Sequence, residues 1–152
     1  MESSKNISHR FRRKRRLIFV EKLLKMKLRT THNSIRIRIR KSELVTLQEQ
    51  RIVEESISFP NGIVFKFALS IDTILEDLTA TLENNYLKLS IAEARAKTWI
   101  TTNEVGIETN IDLENNEQLH LLIEKDFPCL DRENEDKSDT FWELASEKPE
   151  VC

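Results

Sequence analysis

A stretch of strict alternation between isoleucine and arginine most constrains how this chain can fold. In the segment NSIRIRIR, residues 33–40, three isoleucines alternate with three arginines. A period of two places the isoleucines on one face of an extended strand and the arginines on the other. The pattern predicts a half-buried β-strand with one basic face, joined by a tight turn at His32-Asn33 to a partner strand over 28–31.

The same period of two recurs along the chain and predicts a β-rich domain. Asn61-Gly62 indicates a hairpin turn because both residues tolerate positive φ. The strand before that turn is expected to point Val53, Ile57 and Phe59 inward. Further strands are predicted over residues 63–71, 78–82, 87–91, 105–113 and 119–123. We therefore expect an α+β, β-rich fold, with a mostly antiparallel sheet or barrel of about eight strands and two short helices.

The two helices are predicted from capping and from apolar spacing. Ser42 can cap a helix that ends near residue 48. Residues 93–100 carry apolar side chains on one helical face.

An internal repeat is visible in the order of these elements. Aligning NSIRIRIRKSELVTL with NYLKLSIAEARAKTW places Asn33 over Asn85, with strand, helix and hairpin in the same order. This predicts a duplicated ββαββ unit with pseudo-two-fold symmetry, in which two units, each with one apolar sheet face, pack together. Convergence on a common pattern is the alternative, because short alternating strands match each other easily.

Charge is distributed unevenly along the chain. Residues 1–30 hold eleven Lys and Arg against two acidic residues, while residues 31–152 hold thirteen against twenty-four. The basic FRRKRR cluster lies in a leader, residues 1–25, without any strand pattern. We predict that this leader is disordered or a spurious upstream extension, since Met26 opens the patterned segment as a true start would.

The remaining boundaries follow from length and composition. Residues 26–130 are long enough for a single α+β domain. Residues 131–152 are predicted to be an acidic, mostly mobile tail, which Phe141 and Trp142 could still attach to the domain. No apolar run approaches the roughly 18 residues of a membrane span. Two cysteines make neither a disulfide framework nor a zinc site, so we expect a cytoplasmic protein.

The final predicted strand leads into the most reactive-looking part of the sequence, LHLLIEKDFPCLDRENEDKSD. A Cys129 thiolate would need a base such as His120, oriented by Asp126. Strand alternation points His120 away from the apolar face and leaves it far from Cys129, so a structural cysteine is the preferred interpretation.

The carboxylates that follow could supply oxygen ligands for Mg²⁺ or Ca²⁺ between residues 131 and 139. A calcium loop needs a glycine at its sharp turn, and the chain has glycine only at Gly62 and Gly106. A solvated acidic tail is therefore preferred, and we assign no metal, cofactor or catalytic residue. So few glycines also exclude phosphate-cradling loops.

The arginine ladder formed by Arg36, Arg38 and Arg40 suits phosphate groups. No aromatic residues are interleaved for base stacking, and three phosphate contacts are too few for tight binding. Cross-strand ion pairs with Glu54 and Glu55 are the preferred interpretation.

Several segments resemble a family of short bacterial proteins of unknown function. They are NSIRIRIRKSE, TTNEVGIE and, most specifically, EKDFPCL at residues 124–130, which matches the family's EKDFxCL segment and precedes an ED-rich end. The resemblance covers about residues 26–140. It implies a bacterial cytoplasmic protein that starts near Met26, and it implies no activity or ligand. The chain departs from the family at Phe141-Trp142-Glu143, where a proline-rich ending is expected.

Taken together, the residues favour a non-enzymatic small binding or protein-interaction module, acting on a protein partner or as a homodimer. One alternative is a metal- or cysteine-dependent enzyme, and a second is weak nucleic-acid binding through the arginine ladder. The site is expected at the junction of the two halves or on the surface around residues 124–139, and the candidate binding residues are Glu124, Lys125, Asp126, Cys129, Arg132, Asp136 and Asp139.

Overall fold

Eight strands and two short α-helices make up the described part of a computed structural model, which covers residues 26–128 and 137–147 without the side chains of residues 146 and 147. In chain order the elements are β1 (Lys27–Thr31), β2 (Ser34–Ile39), α1 (Lys41–Gln50), β3 (Ile52–Ser58), β4 (Val64–Asp72), β5 (Thr79–Glu83), β6 (Tyr86–Ala92), α2 (Glu93–Thr101), β7 (Gly106–Asp112) and β8 (Gln118–Lys125), with 3₁₀ turns at Glu114–Asn116 and Trp142–Glu147. The predicted α+β fold is confirmed. Predictions for the leader, for residues 129–136 and for residues 148–152 lie outside the described residues.

The strands form two mixed four-stranded sheets, ordered β1-β2-β8-β7 and β3-β4-β6-β5, so the barrel alternative is wrong. Consecutive strands pair as antiparallel hairpins, whereas the central pairs β2–β8 and β4–β6 are parallel. Each sheet therefore takes one hairpin from each half of the chain. The expected arrangement, in which each half supplies its own sheet face, is replaced by an exchange of hairpins between halves.

The two halves correspond closely in position and register. β1 and β2 begin 52 positions before β5 and β6, while β3 and β4 begin 54 positions before β7 and β8. Ser34 lies opposite His120 in one parallel pair, and the corresponding Tyr86 lies opposite Lys66 in the other. The two central pairs are therefore formed in equivalent registers.

Main-chain hydrogen bonds repeat with the same offsets. The amide of Lys125 donates to the Val105 carbonyl at 2.9 Å, and the amide of Ile71 donates to the Arg51 carbonyl at 2.9 Å. The β1–β2 and β5–β6 hairpins both turn through two residues with positive φ, the second being an asparagine in each. This correspondence lies in the backbone, and most side chains at equivalent positions differ.

The core lies on the alternating apolar positions of both sheets and on one face of each helix. Leu47 of α1 and Trp99 of α2 occupy equivalent positions and are fully buried. Val53 is buried as predicted, but Ile57 and Phe59 are 45% and 49% exposed. Their prediction was wrong because alternation identifies a strand face but does not show how far the packed layer extends along it.

The helices begin close to the predicted positions. α2 begins at Glu93 as expected, whereas α1 begins at Lys41 with Arg40 at its N-cap. Ser42 lies in the first turn of α1 and bonds to Asp139 instead of capping its own helix. No helix in the described ranges has the length and apolar composition needed to cross a membrane.

Candidate functional site

The C-terminal ends of β2 and β8 bring the arginine ladder against the predicted site residues. Parallel pairing places Arg38 opposite Glu124, and Nε of Arg38 donates to Oε2 of Glu124 at 2.9 Å. Nε of Arg36 lies 3.6 Å from the same oxygen. The ladder therefore forms cross-strand ion pairs, which is the type of interaction that the sequence predicted.

The partners of those ion pairs were wrong. Glu54 accepts a hydrogen bond from Nζ of Lys66 at 3.1 Å, within the other sheet. The ladder strand β2 is flanked by β1 and β8, so neither Glu54 nor Glu55 is on a neighbouring strand. Local alternation showed which residues share a face but did not show that β2 pairs with the last strand.

A single glycine creates the space that Glu124 uses. Gly106 lies opposite Glu124 in the β7–β8 register. A Cβ added there would lie 2.7 Å from the carbonyl oxygen of Ile123 and 3.2 Å from Cγ of Glu124. Glycine is therefore required for the close approach of the two strands at this ion pair.

Asp126 is a second carboxylate in this cluster and is almost completely buried. Its Oδ2 lies 2.9 Å from Nζ of Lys27 and 4.0 Å from Nε of Arg40. Its amide donates to the Ile39 carbonyl at 2.7 Å. Since a buried carboxylate needs charge compensation, these contacts give Lys27 and Arg40 a structural role.

Lys125 is the last residue of β8, and its side chain is buried. Its Nζ donates to the Thr102 carbonyl at 2.7 Å and lies 6.0 Å and 5.7 Å from the ring centroids of Trp99 and Phe141. Burial lowers the pKa of Lys125, while the nearby carboxylates of Glu104 and Glu143 oppose that change. The aliphatic chain of Lys125 thus connects the end of α2 to the C-terminal segment.

Residues 137–147, which we call the docked segment, pack against this end of the domain. The Asp139 carboxylate accepts hydrogen bonds from the amide of Ser42 at 2.9 Å and from its hydroxyl, and the Asp139 carbonyl accepts from the Lys41 amide at 3.2 Å. An acidic group at a helix N-terminus satisfies free N–H groups and interacts favourably with the helix dipole. Asp139 therefore caps α1 from a distant part of the chain.

Apolar contacts hold the same segment. Phe141 and Leu144 are buried in the core, and the Phe141 amide donates to the Asp126 carbonyl at 2.8 Å. Nζ of Lys41 donates to Oε2 of Glu143 at 3.0 Å. This part of the predicted mobile tail is packed, and of the two aromatic residues expected to attach it only Phe141 does so, because Trp142 is 66% exposed.

Glu43 is a buried titratable group that the sequence reasoning missed. It is fully inaccessible, and its Oε2 accepts a hydrogen bond from the Arg40 amide at 2.8 Å. Burial raises the pKa of Glu43 from 4.5 to about 7, and the charges of Glu55 and Asp139 add to the increase. Its carboxylate bonds back to the N-cap amide as the Glu of a capping box does, but with Ser42 taken as the N-cap no signal in the sequence identified it.

His120 lies at the other end of β8. Its Nε2 is 3.5 Å from Oε2 of Glu108, and its Nδ1 is 3.3 Å from Oγ of Ser34. Cys129, Arg132 and Asp136 lie outside the described residues, so the proposed nucleophile and the binding roles of these three stay predictions. Within the described ranges, no group of three or more His, Cys, Asp or Glu is arranged to hold a metal.

An open groove of about 470 Å³ lies beside α2. Its lining includes Arg51 after α1, Ile71 near the end of β4, and Glu93, Ala94, Lys97 and Ile100 of α2. Two of its three charged lining residues are basic. Sequence reasoning did not identify this groove, because its lining combines residues of both helices and of β4 that are far apart in the chain.

In comparisons with known proteins, a family model described as a family of unknown function (DUF7009) matches residues 26–144. No curated protein and no solved structure matches the chain. The match confirms the resemblance to a family of unknown function. The matched range extends through Leu144 and therefore includes most of the docked segment.

Proposed function

The chain belongs to this family of unknown function (DUF7009), and we propose that it is a non-enzymatic protein-interaction module that binds a segment of a partner protein in the groove beside α2. One observation carries the proposal. The open groove occupies the position in one half of the molecule that corresponds to the site of the docked segment in the other half.

The correspondence can be followed residue by residue. Lys41 and Ser42, which contact the docked segment, correspond at the 52-residue offset to Glu93 and Ala94. Lys125, which contacts the Phe141 ring, corresponds at the 54-residue offset to Ile71. The counterparts of all three line the open groove.

The surrounding elements correspond as well. The docked segment lies against the N-terminus of α1 and the end of β8, with Lys125 reaching the C-terminal end of α2. The open groove is bounded by the N-terminus of α2, the end of β4 and the C-terminal end of α1. The molecule therefore has two similar grooves, of which one holds a segment of its own chain.

The docked segment shows what such a groove can bind. It buries one aromatic and one leucine side chain and places a carboxylate at a helix N-terminus. Burying each large apolar side chain is worth about 1.5–3 kcal/mol relative to leaving it exposed. A groove of this size falls within the roughly 300–1,000 Å³ typical of ligand sites.

The same correspondence supports the inference that the two halves arose by internal duplication. After a duplication, two equivalent surfaces can come to bind different segments: here one binds the docked segment, and the other is free to bind a partner. The single domain over residues 26–130, the bacterial origin and the cytoplasmic location stay predictions that rest on the sequence alone.

Selection of random peptides displayed on phage against the full chain tests the proposed binding site. Ala94→Trp fills the groove from the exposed face of α2. We therefore expect it to lower the affinity of the selected peptides by at least about tenfold, which corresponds to 1.4 kcal/mol. Thr81→Trp, on the exposed edge strand β5, is the matched control and should leave affinity unchanged.

Two results would count against the proposal. One is a selection that yields no binders, and the other is a set of binders that Ala94→Trp and Thr81→Trp affect equally. Sedimentation of the unliganded chain tests the homodimer alternative. A dimer that Ala94→Trp dissociates would mean that the groove binds a second copy of the chain.

A further inference from the structure

We infer that the segment bound in the open groove carries an aspartate, an aromatic residue two positions later and a basic residue two positions after that. This inference rests on the proposed function and specifies the chemistry of the partner. It follows from comparing each contact of the docked segment with the residue at the corresponding position in the open groove.

The aspartate is inferred from the N-terminus of α2. Asp139 caps α1 by accepting from the Ser42 amide, which corresponds to the amide of Ala94. α2 has Ala92 at its N-cap and no side-chain hydrogen bond there. A carboxylate entering the groove would therefore meet the positive end of a helix whose N-cap residue has no side-chain acceptor for the first N–H groups.

The aromatic residue is inferred from the apolar wall of the groove. In the docked segment, the ring of Phe141 lies near the ammonium groups of Lys41 and Lys125, at 5.6 Å and 5.7 Å. In the open groove, Lys125 is replaced by Ile71, and Ile100 lies on the adjacent helix. A ring at this position would gain apolar contacts where the docked segment gains cation–π contacts.

The basic residue is inferred from a reversal of charge between the two grooves. Glu143 of the docked segment bonds to Lys41, whose counterpart in the open groove is Glu93. An acidic residue at that position would be repelled by Glu93, and a basic residue would be attracted to it.

The carboxylate of Glu93 already has a partner on the protein. It lies 2.8 Å from Nη1 of Arg51, and both side chains are about half exposed. Exposed ion pairs of this kind contribute little, so a basic group of the ligand can exchange with Arg51. Arg51 and Lys97 then remain to offset acidic groups elsewhere in the bound segment.

Two fluorescent peptides test the inference by anisotropy titration of the full chain. One has the native sequence of residues 137–147, and the other carries Glu143→Lys. Only the part of the binding that Ala94→Trp removes is compared. A peptide that instead replaces the docked segment at its own site would not be affected by that substitution. We expect the Glu143→Lys peptide to bind at least about threefold more tightly, in the range of a partly exposed charge pair. Adding Phe141→Ala to that peptide should abolish its binding.

A reversal on the protein side makes the test specific. Glu93→Lys should reverse the preference so that the native peptide binds more tightly, and Glu93→Gln should remove the preference for the Glu143→Lys peptide. Glu93→Gln retains the size of the side chain and serves if Glu93→Lys fails to give the native circular dichroism spectrum.

Different failures separate this inference from the proposed function. A preference that neither Glu93 variant changes, or a Phe141→Ala peptide that binds unchanged, overturns the inference. Displayed peptides that lack the aspartate–aromatic–basic spacing but are weakened by Ala94→Trp also overturn it, while the proposed function stands. Displayed peptides insensitive to Ala94→Trp overturn both.

Discussion

Glu43 illustrates how a single side chain couples folding to pH. Its carboxyl group is fully buried in the first turn of α1, and this burial raises its pKa to about 7. In the unfolded chain the same group titrates near its ordinary value of 4.5. Between these two values the folded state holds a proton that the unfolded state has lost, so folding is penalised increasingly as pH rises.

Glu43→Gln should therefore remove part of the pH dependence of stability. We expect the free energy of unfolding of the native chain to fall by about 2–3 kcal/mol more than that of the variant between pH 5 and pH 8, since one pKa unit corresponds to about 1.4 kcal/mol. Urea denaturation at both pH values measures the difference. Glu49→Gln, on the exposed side of the same helix, is the control. Parallel pH profiles for the native chain and Glu43→Gln would contradict the prediction.

Glu124 is the residue on which the arginine ladder depends. Glu124→Gln keeps the shape of the side chain but removes the charge that compensates Arg36 and Arg38, so we expect a loss of about 2 kcal/mol in the free energy of unfolding. The matched change Glu54→Gln removes the exposed contact with Lys66 and should cost less than about 1 kcal/mol. Chemical denaturation of both variants compares them, and equal losses would show that Glu124 is no more important than a surface pair.

At the scale of single elements, β7 shows why one of the two glycines is required. Gly106→Ala places a Cβ against the Ile123 carbonyl, a main-chain atom that can move only with its strand. We expect a loss of about 1–3 kcal/mol and faster hydrogen exchange of the β7–β8 amides.

The other glycine provides the comparison. Gly62 has open space around its Cβ position but a φ of +79°, so Gly62→Ala should cost about 1–2 kcal/mol through backbone strain. It should leave the exchange of the β7–β8 amides unchanged. Unchanged β7–β8 exchange in Gly106→Ala would show that the two strands can separate without loss of pairing.

The docked segment is the element most easily tested for its attachment. Phe141→Ala removes its main buried ring, and we expect residues 137–147 to exchange amide hydrogens faster and to be cleaved more readily by proteases. Trp142→Ala changes an exposed neighbour and should have little effect. Equal exchange in the two variants would mean that the polar contacts of Asp139 are sufficient to hold the segment.

Elements were predictable from the sequence where their signals are local. Alternation located the strands, and turn-forming residues located the turns at His32-Asn33 and Asn61-Gly62, where Asn33 and Gly62 have positive φ. The cap of α1 was not predictable in this way, because Asp139 is 97 residues away from Ser42. The expected role of Ser42 as N-cap was wrong because α1 begins at Lys41, which puts Ser42 inside its first turn.

At the scale of the whole molecule, the exchange of hairpins makes each half depend on the other. β2 has its parallel partner β8 in the second half, and β6 has its parallel partner β4 in the first. A fragment of residues 26–75 alone would leave β2 and β4 each without a central neighbour. We therefore expect fragments 26–75 and 76–152 to be unfolded or self-associated separately and to recover the native circular dichroism spectrum when mixed.

One result would contradict this expectation. A separate fragment that is monomeric by sedimentation and retains native-like strand content would show that half of the chain folds independently. That outcome would contradict the inference that each half of the chain needs the other half in order to fold.

The strands, the turns at His32-Asn33 and Asn61-Gly62, the two helices and the correspondence of the halves near Asn33 and Asn85 could all be predicted from the sequence. These features depend on contacts between residues close together in the chain, which periodicity and backbone preferences report directly. Three other features depend on the tertiary structure: the arginine ladder faces Glu124, Asp139 caps α1, and the residues that line the groove beside α2 come together. Those outcomes depend on which strands pair across the chain and on which surfaces they bring together, and no local pattern of residues specifies either.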